Sequence, residues 1–291
     1  MTTFSLEKLE FSKYHGLGND YVLINNLDGR IPESAYSALG KKLCRVHFSV
    51  GADGLILVDK SSREDVKFSI INSDGSIAEM CGNGIRCFTK FLHDKKIMEK
   101  DIIHAETLAG TKILKATKQD GIVISVDVDM GPPILERSEI PVAGTGPITD
   151  IPINIANKGM KFTAVSMGNP HAVFFKDEIN VEEVLDLGPA IETHELFPKK
   201  VNVEFVKVIS PTELDFLVWE RGVGMTLACG TGACGSVVAG VLLGKLKRNE
   251  PVTVHLQGGD LVITYTDDTV MMNGPAEHSF DGIIENLKLE Y

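Results

Sequence analysis

Three short motifs occur twice in this sequence, in the same order and at nearly the same separation. The pairs are Gly18-Asn19 with Gly168-Asn169, 150 residues apart; Cys81-Gly82-Asn83-Gly84 with Cys229-Gly230-Thr231-Gly232, 148 residues apart; and Gly110 with Gly259, 149 residues apart. One such match would be chance. Three in one order at nearly one offset indicate an internal duplication, and therefore two similar domains.

The boundary between the two copies is expected near residue 130. Segment 131–152 is rich in proline and glycine and has no helical or strand periodicity, which is typical of turns or a linker. The alternative is a long loop within one domain. We predict a first domain at 1–129 and a second at 130–273.

Each half is predicted to place several strands around one long apolar helix that follows its Cys-Gly-x-Gly turn. The apolar helix positions are Ile85, Phe88, Phe91 and Leu92 in the first half and Val237, Val238, Val241 and Leu242 in the second. A shorter helix is predicted at 34–47, with Ala35, Leu39, Leu43 and Val46 at helical spacing. The predicted strands are 21–24, 55–58, 67–71, 124–128, 162–165, 172–175, 203–209, 214–219, 252–256 and 261–265. The fold class is therefore α/β, of the α+β kind, with two domains.

Charge and hydropathy restrict the possible partners. The net charge is −11 and there is no block of Lys or Arg, which argues against binding to nucleic acid or an anionic membrane. A small anionic ligand held by backbone N–H groups remains possible. The first ten residues lack the apolar core of a secretion signal, and no apolar run could span a bilayer, so we expect a cytoplasmic protein.

The five cysteines indicate neither a disulfide framework nor a zinc site. Their number is odd, and their C-x5-C and C-x4-C spacings differ from the C-x2-C of zinc ribbons, so no metal is predicted. Cys44, Cys87 and Cys234 are interpreted as core residues, because nothing in their local sequence would activate a thiol.

Cys81 and Cys229 differ from the others because each precedes a Gly-x-Gly turn into a helix. A helix N-terminus presents backbone N–H donors and partial positive charge, which stabilises a thiolate and lowers the pKa of a cysteine. The glycines leave those donors accessible, so each turn could also bind an anion. Two duplicated domains could present both cysteines to one cleft, on opposite faces of one carbon. That is what inversion of an α-carbon requires: one thiolate removes the proton and the other thiol delivers one.

The segments around the two cysteines, 79–87 and 228–234, closely resemble the two signatures of the diaminopimelate epimerase family. So do Gly16-Leu17-Gly18-Asn19-Asp20, Gly168-Asn169-Pro170-His171 and Trp219-Glu220-Arg221-Gly222, and the similarity runs from about residue 11 to Gly274-Pro275-Ala276. Together these motifs are highly specific, whereas a lone Cys-Gly-x-Gly would be a weak signal.

The resemblance implies two pseudo-symmetric domains, each a mostly antiparallel sheet or barrel around a central helix, with the active site in the cleft between them. It implies that segment 274–291 returns to the first domain. It also implies interconversion of LL- and meso-diaminopimelate, in lysine and peptidoglycan-precursor synthesis, without pyridoxal phosphate or metal. By the same analogy the protein is a homodimer.

Site residues follow from the matching motifs. The acid/base pair would be Cys81 and Cys229. The residues whose backbone N–H groups would bind the reacting-end carboxylate are Gly82, Asn83, Gly230 and Thr231. Asn19 would line that end, with His171 and Glu220 near it. The residues that would hold the distal amino-acid end are Asn72, Asn169, Asn202, Glu220 and Arg221.

Each residue outside the cysteine turns also has a plainer interpretation. Asn19 and Asn169 could merely supply left-handed turn geometry, and Asn72 could be a turn residue. Glu220 and Arg221 could be a solvated pair, and His171 a core histidine with satisfied ring nitrogens. One position departs from the family pattern: Gly54 stands where some members have Gln, so no contact is assigned to it.

Three other functions remain open. The chain could be a proline or hydroxyproline racemase, although those proteins have Cys-Gly-His-Gly and Cys-Gly-Thr-Gly-Thr where this one has Asn83 and Ala233. It could be an isomerase with a carboxylate base, which the two cysteines argue against. It could also be a non-catalytic amino-acid binder or a redox-sensing dithiol protein.

Overall fold

The computed structural model describes residues 3–290. Contacts between Cα atoms divide them into two units, residues 3–128 with 274–290 and residues 129–273. Strands predominate in both, and the α+β class predicted from the sequence is confirmed. No helix among residues 3–290 is long and apolar enough to cross a membrane.

The first unit contains nine strands, two α-helices and a single turn of 3-10 helix at Glu33–Ala35. The helices are α1 Tyr36–Leu43 and α2 Gly82–Asp94. The strands are β1 Thr3–Gly16, β2 Asn19–Asn25, β3 Gly54–Asp59, β4 Val66–Asn72, β5 Ile77–Ala78, β6 Ile102–Thr107, β7 Gly110–Gln119, β8 Ile122–Asp129 and, from the other end of the chain, β18 Glu277–Glu290. Their pairing order is β18-β1-β2-β3-β4-β6-β7-β8, with β5 also on β4.

The second unit contains nine strands and two helices, α3 Val181–Glu192 and α4 Gly230–Leu242. The strands are β9 Ile151–Ile155, β10 Lys158–Ser166, β11 Pro170–Phe175, β12 Asn202–Ser210, β13 Glu213–Glu220, β14 Gly224–Met225, β15 Pro251–Leu256, β16 Gly259–Tyr265 and β17 Val270–Gly274. Their pairing order is β9-β10-β11-β12-β13-β15-β16-β17, with β14 also on β13.

The two units have the same topology. In each, the third and fourth strands of the order pair in parallel, and so do the fifth and sixth, while the other neighbours are antiparallel. A helix lies in each parallel crossover: α1 and α2 in the first unit, α3 and α4 in the second. Strand β18 in the first unit and β9 in the second occupy equivalent positions: β18 pairs with β1, and β9 pairs with β10.

The first unit buries β3 on both faces, which accounts for its unbroken apolar sequence. Leu55 and Leu57 belong to a cluster that includes Leu39 and Leu43 of α1. On the opposite face, Ile56 lies against the start of α2. Helix α2 contacts β1, β2, β3, β4, β7 and β18, and all its residues from Gly82 to His93 are buried. The corresponding α4 contacts β10, β11, β12 and β16.

All ten strands predicted from the sequence lie within observed strands, and both central helices begin directly after their cysteines. The helix predicted at 34–47 ends earlier, at Leu43. His47 has a φ of 68°, which is incompatible with a continuing helix, and Val46 is 58% exposed rather than buried.

Helix α3 was not predicted, because Gly188 and Pro189 interrupt its pattern. Its start did carry a signal: Asn180 caps the helix by accepting a hydrogen bond from the N–H of Glu183 at 2.8 Å. Gly188 is needed because an added Cβ would lie 2.7 Å from the Trp219 side chain.

We expect Leu43→Ala to lower the free energy of unfolding by about 2–4 kcal/mol, because the lost side chain leaves a cavity in the cluster under α1. Val46→Ala is the control, and it should lower the free energy of unfolding by less than about 1 kcal/mol, because the Val46 side chain is exposed. Urea unfolding of the two variants measures the difference. Equal losses would show that the helix continues and buries Val46.

Candidate active site

Cys81 is the N-cap of α2, in extended conformation at φ −144° and ψ 121°. Its Sγ accepts a hydrogen bond from the N–H of Gly84 at 3.5 Å and lies 3.1 Å from the hydroxyl of Tyr21 on β2. The thiol is partly exposed. Gly82 and Asn83 form the first turn of α2, where backbone N–H groups face the helix N-terminus.

A fully buried arginine holds this turn in place. The Arg86 guanidinium donates to the carbonyl of Gly82 at 3.0 Å, to Oδ1 of Asn83 at 2.9 Å and to the carbonyl of Pro275 at 3.1 Å. The Asn83 side chain is therefore engaged inside the turn, and its backbone is the part that faces the helix N-terminus. A Cβ at Gly16 would press on this arginine, since it would lie 3.2 Å from Arg86 Nη2.

Asn19 is the first residue of β2 and does not take the left-handed conformation. The two-residue turn between β1 and β2 consists of Leu17 and Gly18, with φ values of 58° and 91°, which matches the turn geometry favoured in hairpins. In the second copy Gly168 has the positive φ, of 96°, rather than Asn169. The plainer interpretation of both asparagines, as suppliers of left-handed geometry, is wrong.

Asn72 ends β4 and lies in the turn that follows it. Its Nδ2 donates to Oγ of Ser76 at 2.9 Å, and its carbonyl accepts from the N–H of Gly75 at 2.8 Å. The side chain is exposed and serves the turn, in agreement with the plainer interpretation.

Cys229 is the N-cap of α4, with φ −120° and ψ 106°, and in contrast to Cys81 it is only 4% exposed. Burial raises its pKa well above the ordinary value, and the negative charges of Glu220 and Glu204 raise it further. We expected the helix N-terminus to lower this pKa, and for Cys229 that expectation is wrong, because desolvation and two carboxylates outweigh the helix dipole. Cys229 is a protonated thiol.

A chain of hydrogen bonds runs from a buried carboxylate to this thiol. Glu204 Oε1 lies 2.6 Å from Nδ1 of His171, and Nε2 of His171 lies 2.9 Å from Oδ1 of Asn169. Nδ2 of Asn169 donates to the Thr231 hydroxyl at 3.2 Å, and that hydroxyl lies 3.6 Å from Cys229 Sγ. Because Asn169 presents its amide oxygen, Nε2 of His171 carries a proton.

His171 and Glu204 are both completely buried. Burial raises the pKa of Glu204, and the neighbouring His171 opposes that shift. The plainer interpretation of His171, a core residue with both ring nitrogens satisfied, is confirmed, and the same bonds connect it to the cysteine turn.

Glu220 and Arg221 lie at the hairpin between β13 and β14. Oε1 of Glu220 accepts a hydrogen bond from the Thr226 hydroxyl. The backbone N–H of Arg221 donates to Oδ1 of Asn202 at 2.9 Å, and Nδ2 of buried Asn202 donates to the carbonyl of Pro170 at 2.9 Å. Asn202 thus fixes the backbone of Arg221, while the guanidinium is exposed.

The other three cysteines are core residues, as predicted, and each is at most 1% exposed. Burial raises the pKa of Cys44 to about 12 and also raises that of Cys87. Among residues 3–290 no group of three or more His, Cys, Asp or Glu side chains is placed to hold a metal ion.

The family model for diaminopimelate epimerase matches residues 11–136 and 163–279, which is most of the chain. The chain belongs to the diaminopimelate epimerase family. It is 46% identical over 283 residues to the diaminopimelate epimerase of Bacillus cytotoxicus and 45% identical to that of Bacillus cereus; in each case the match covers 96% of this chain and 98% of the relative.

Solved structures of low sequence identity to this chain share its fold. A hydroxyproline epimerase from Agrobacterium vitis superposes with a TM-score of 0.72 at 15% identity, covering 96% of this chain and 93% of that one. A PhzF-family phenazine biosynthesis protein from Bacillus anthracis superposes with a TM-score of 0.67 at 12% identity, covering 96% of this chain and 99% of that one. At such identities the likeness establishes the duplicated fold.

Three side chains that lie beside the two cysteine turns were not predicted from the sequence. Tyr21 stands in an apolar run and looks like any core residue. Arg86 follows the motif but could have been a surface residue of the helix. Glu204 did carry a signal, since it is a charged residue between the apolar Val203 and Phe205 of its strand.

The unequal burial of the cysteines predicts the order in which iodoacetamide modifies them at about pH 8. Cys81 should react first, and the four others at least about tenfold more slowly, since a thiol must be accessible and ionised to react. Mass spectrometry of peptides from a time course measures the order. Cys81→Ala is the control and should lose the fast phase. Labelling of Cys229 as fast as that of Cys81 would contradict the description of Cys229 as a buried, protonated thiol.

Proposed function

We propose that the chain interconverts LL- and meso-2,6-diaminopimelate by proton transfer at the α-carbon, with Cys81 and Cys229 as the only acid/base groups and no cofactor. The observation that carries this proposal is the duplication of one arrangement. Each of two units with the same topology has a cysteine as the N-cap of its central helix. Membership of the diaminopimelate epimerase family supports the choice of substrate.

Inversion at one carbon is accounted for by two thiols that act on opposite faces. The Cys81 thiolate takes the α-proton and becomes a thiol, and the C–H electron pair stays on the α-carbon. That carbanion then takes the proton from the Cys229 thiol, which becomes a thiolate. In the reverse direction the two sulfurs exchange roles, so a full cycle consumes no proton and needs no electron acceptor.

Cys229 enters the cycle as the acid. Its burial and its two carboxylate neighbours keep it protonated before substrate binds. The Thr231 hydroxyl oxygen accepts a hydrogen bond from Asn169, so the hydroxyl hydrogen is available to another acceptor. When Cys229 has given up its proton, that hydrogen can be donated to the sulfur. The buried pair of His171 and Glu204 holds Asn169 in the orientation that this requires.

The two helix N-termini bind the carboxylate at the reacting end. Donors would be the backbone N–H groups of Gly82, Asn83, Gly230 and Thr231, with Asn19 beside them. Such groups are oriented before the reaction begins and favour negative charge, which grows on the carboxylate as the carbanion forms. In the first unit Arg86 keeps the turn in one conformation.

The distal amino-acid end of diaminopimelate distinguishes this substrate from a simple amino acid. Arg221 would bind its carboxylate through two parallel N–H bonds, and Glu220 would pair with its ammonium group. Asn202 supports Arg221 by fixing its backbone. Asn72 and Asn169 complete the proposed distal set, and to contact the substrate their side chains would have to exchange the bonds that they make to Ser76 and to Thr231 and His171. The product serves lysine and peptidoglycan-precursor synthesis.

We expect the purified protein, with no cofactor added, to incorporate deuterium at the α-carbon of LL-diaminopimelate in heavy water and to form the meso isomer. Cys81→Ala and Cys229→Ala should each abolish epimerisation, because each removes one of the two bases. Cys44→Ala is the control and should retain activity, since that thiol lies in the core under α1. Mass spectrometry and chiral chromatography follow the reaction. Exchange with proline but not with diaminopimelate would overturn the substrate assignment, and full turnover by either variant would overturn the two-base scheme.

We expect Arg221→Lys to raise KM for diaminopimelate by about tenfold or more with a smaller change in kcat, because an ammonium group cannot make the bidentate contact with a carboxylate. Arg248→Lys is a matched control, since Arg248 lies over the ring of Tyr265, at 4.0 Å from its centroid. Steady-state kinetics of the two variants separate KM from kcat. An unchanged KM in Arg221→Lys would remove Arg221 from the distal site.

A further inference from the structure

The hydroxyl of Tyr21 lies 3.1 Å from Cys81 Sγ, and the tyrosine is only 4% exposed. Tyr21 is a residue of β2, and β2 packs against α2 in the core of the first unit. The tyrosine and the cysteine are therefore both held by the core. The Tyr21 hydroxyl and the N–H of Gly84 are two hydrogen-bond donor groups within reach of the Cys81 sulfur.

We propose that Tyr21 is a positioning residue for the proton transfer: its hydroxyl donates a hydrogen bond to the Cys81 thiolate, stabilises that form and fixes the direction of the sulfur. The role in catalysis rests on the proposed function of Cys81, whereas the contact itself does not.

Tyr21 is suited to this role because it stays neutral. Burial raises its pKa well above the ordinary value, and the neighbouring Cys81 raises it further. A neutral phenol always has a proton to donate, and a hydrogen bond donated to a thiolate favours the thiolate over the thiol. After Cys81 has taken the α-proton, the same hydroxyl oxygen can accept from the S–H, so the contact persists through the step.

The repeat supports the assignment independently. Tyr21 stands two residues after Asn19 in β2, as His171 stands two residues after Asn169 in β11. Each pairs with the first residue of the next, parallel strand: Tyr21 with Gly54 and His171 with Asn202. His171 is connected to its cysteine through Asn169 and Thr231, whereas the longer Tyr21 reaches its cysteine directly. The equivalent strand residue is therefore connected to the cysteine by hydrogen bonds in both units, directly in the first and indirectly in the second.

Gly54 makes room for the tyrosine ring. A Cβ at this position would lie 3.3 Å from Cδ1 of Tyr21 and 3.0 Å from the carbonyl oxygen of Ile71. A methyl group here would press on both, so the ring or the carbonyl would have to shift by a few tenths of an ångström, and a shift of the ring would move the hydroxyl. Gly54 is thus part of one arrangement with Tyr21.

Tyr21→Phe tests the proposal, because it removes the hydroxyl and keeps the ring. We expect Cys81 to react with iodoacetamide about tenfold more slowly at pH 7 than in the wild type, and the difference to vanish at high pH, where the thiolate forms without help. The acid limb of the kcat/KM profile for diaminopimelate should move up by about one pH unit. Tyr14→Phe is the matched control: it removes another buried hydroxyl of the first unit, bonded to Asp94 at 3.0 Å, and should change neither readout.

A second pair of variants tests the part played by Gly54. Gly54→Ala should slow Cys81 labelling in the wild-type background and have no added effect in Tyr21→Phe, because both changes remove the same hydrogen bond. Labelling rates and acid limbs in Tyr21→Phe equal to those of the wild type would overturn the proposal. If the wild type itself does not epimerise diaminopimelate, the proposed function fails, and the labelling of Cys81 still decides whether the Tyr21 contact favours the thiolate.

Discussion

Burial of one helix inside each sheet is the constraint on which the rest of the structure depends. Helix α2 is enclosed from Gly82 to His93, and α4 is enclosed in its first turns. Backbone N–H groups at a helix start have no carbonyl partners within the helix, so an enclosed helix needs its N-terminus satisfied by a cap or by a ligand. Each unit has a cysteine at the N-cap and glycines after it, and in the first unit Cys81 Sγ accepts from the N–H of Gly84, whereas Cys229 makes no side-chain cap bond. In the proposed function the same two cysteines are the acid/base groups.

The two cysteine turns share a backbone but differ in their surroundings. Cys81 is partly exposed and has a phenol and a backbone N–H as neighbours. Cys229 is buried with two carboxylates near it, and its pKa is raised. Burial is the main cause of that raised pKa, followed by Glu220 and then Glu204. Part of the contrast comes from one strand position, because β3 places Ile56 against the start of α2 where β12 places Glu204 against the start of α4. The two units therefore have equal turns in unequal surroundings, which fits the different roles of proton acceptor and donor proposed for the two sulfurs.

Much of the fold could be predicted because its signals are local. The repeat offsets, the strand runs and the Cys-Gly-x-Gly turns each occupy a few consecutive residues. The roles of Tyr21 and Glu204 could not be predicted in this way, because they depend on which strand lies beside which helix. Nor could the high pKa of Cys229, since helix position alone argues for the opposite shift and the desolvation comes from distant segments. Helix α3 was hidden by a glycine and a proline, of which the glycine is required by close packing against Trp219.

The last strand of the chain has a consequence for synthesis. The second unit is one continuous stretch, residues 129–273, whereas the first needs β18 from the C-terminus to pair with β1. The chain is synthesised from its N-terminus, so one edge of β1 stays unpaired until β18 emerges from the ribosome. By that time the second unit already has all its strands. The unit that begins first is therefore the one that is completed last, and the turn at Cys81 acquires its finished surroundings, including the carbonyl of Pro275 that Arg86 binds, only after all of the second unit has been synthesised.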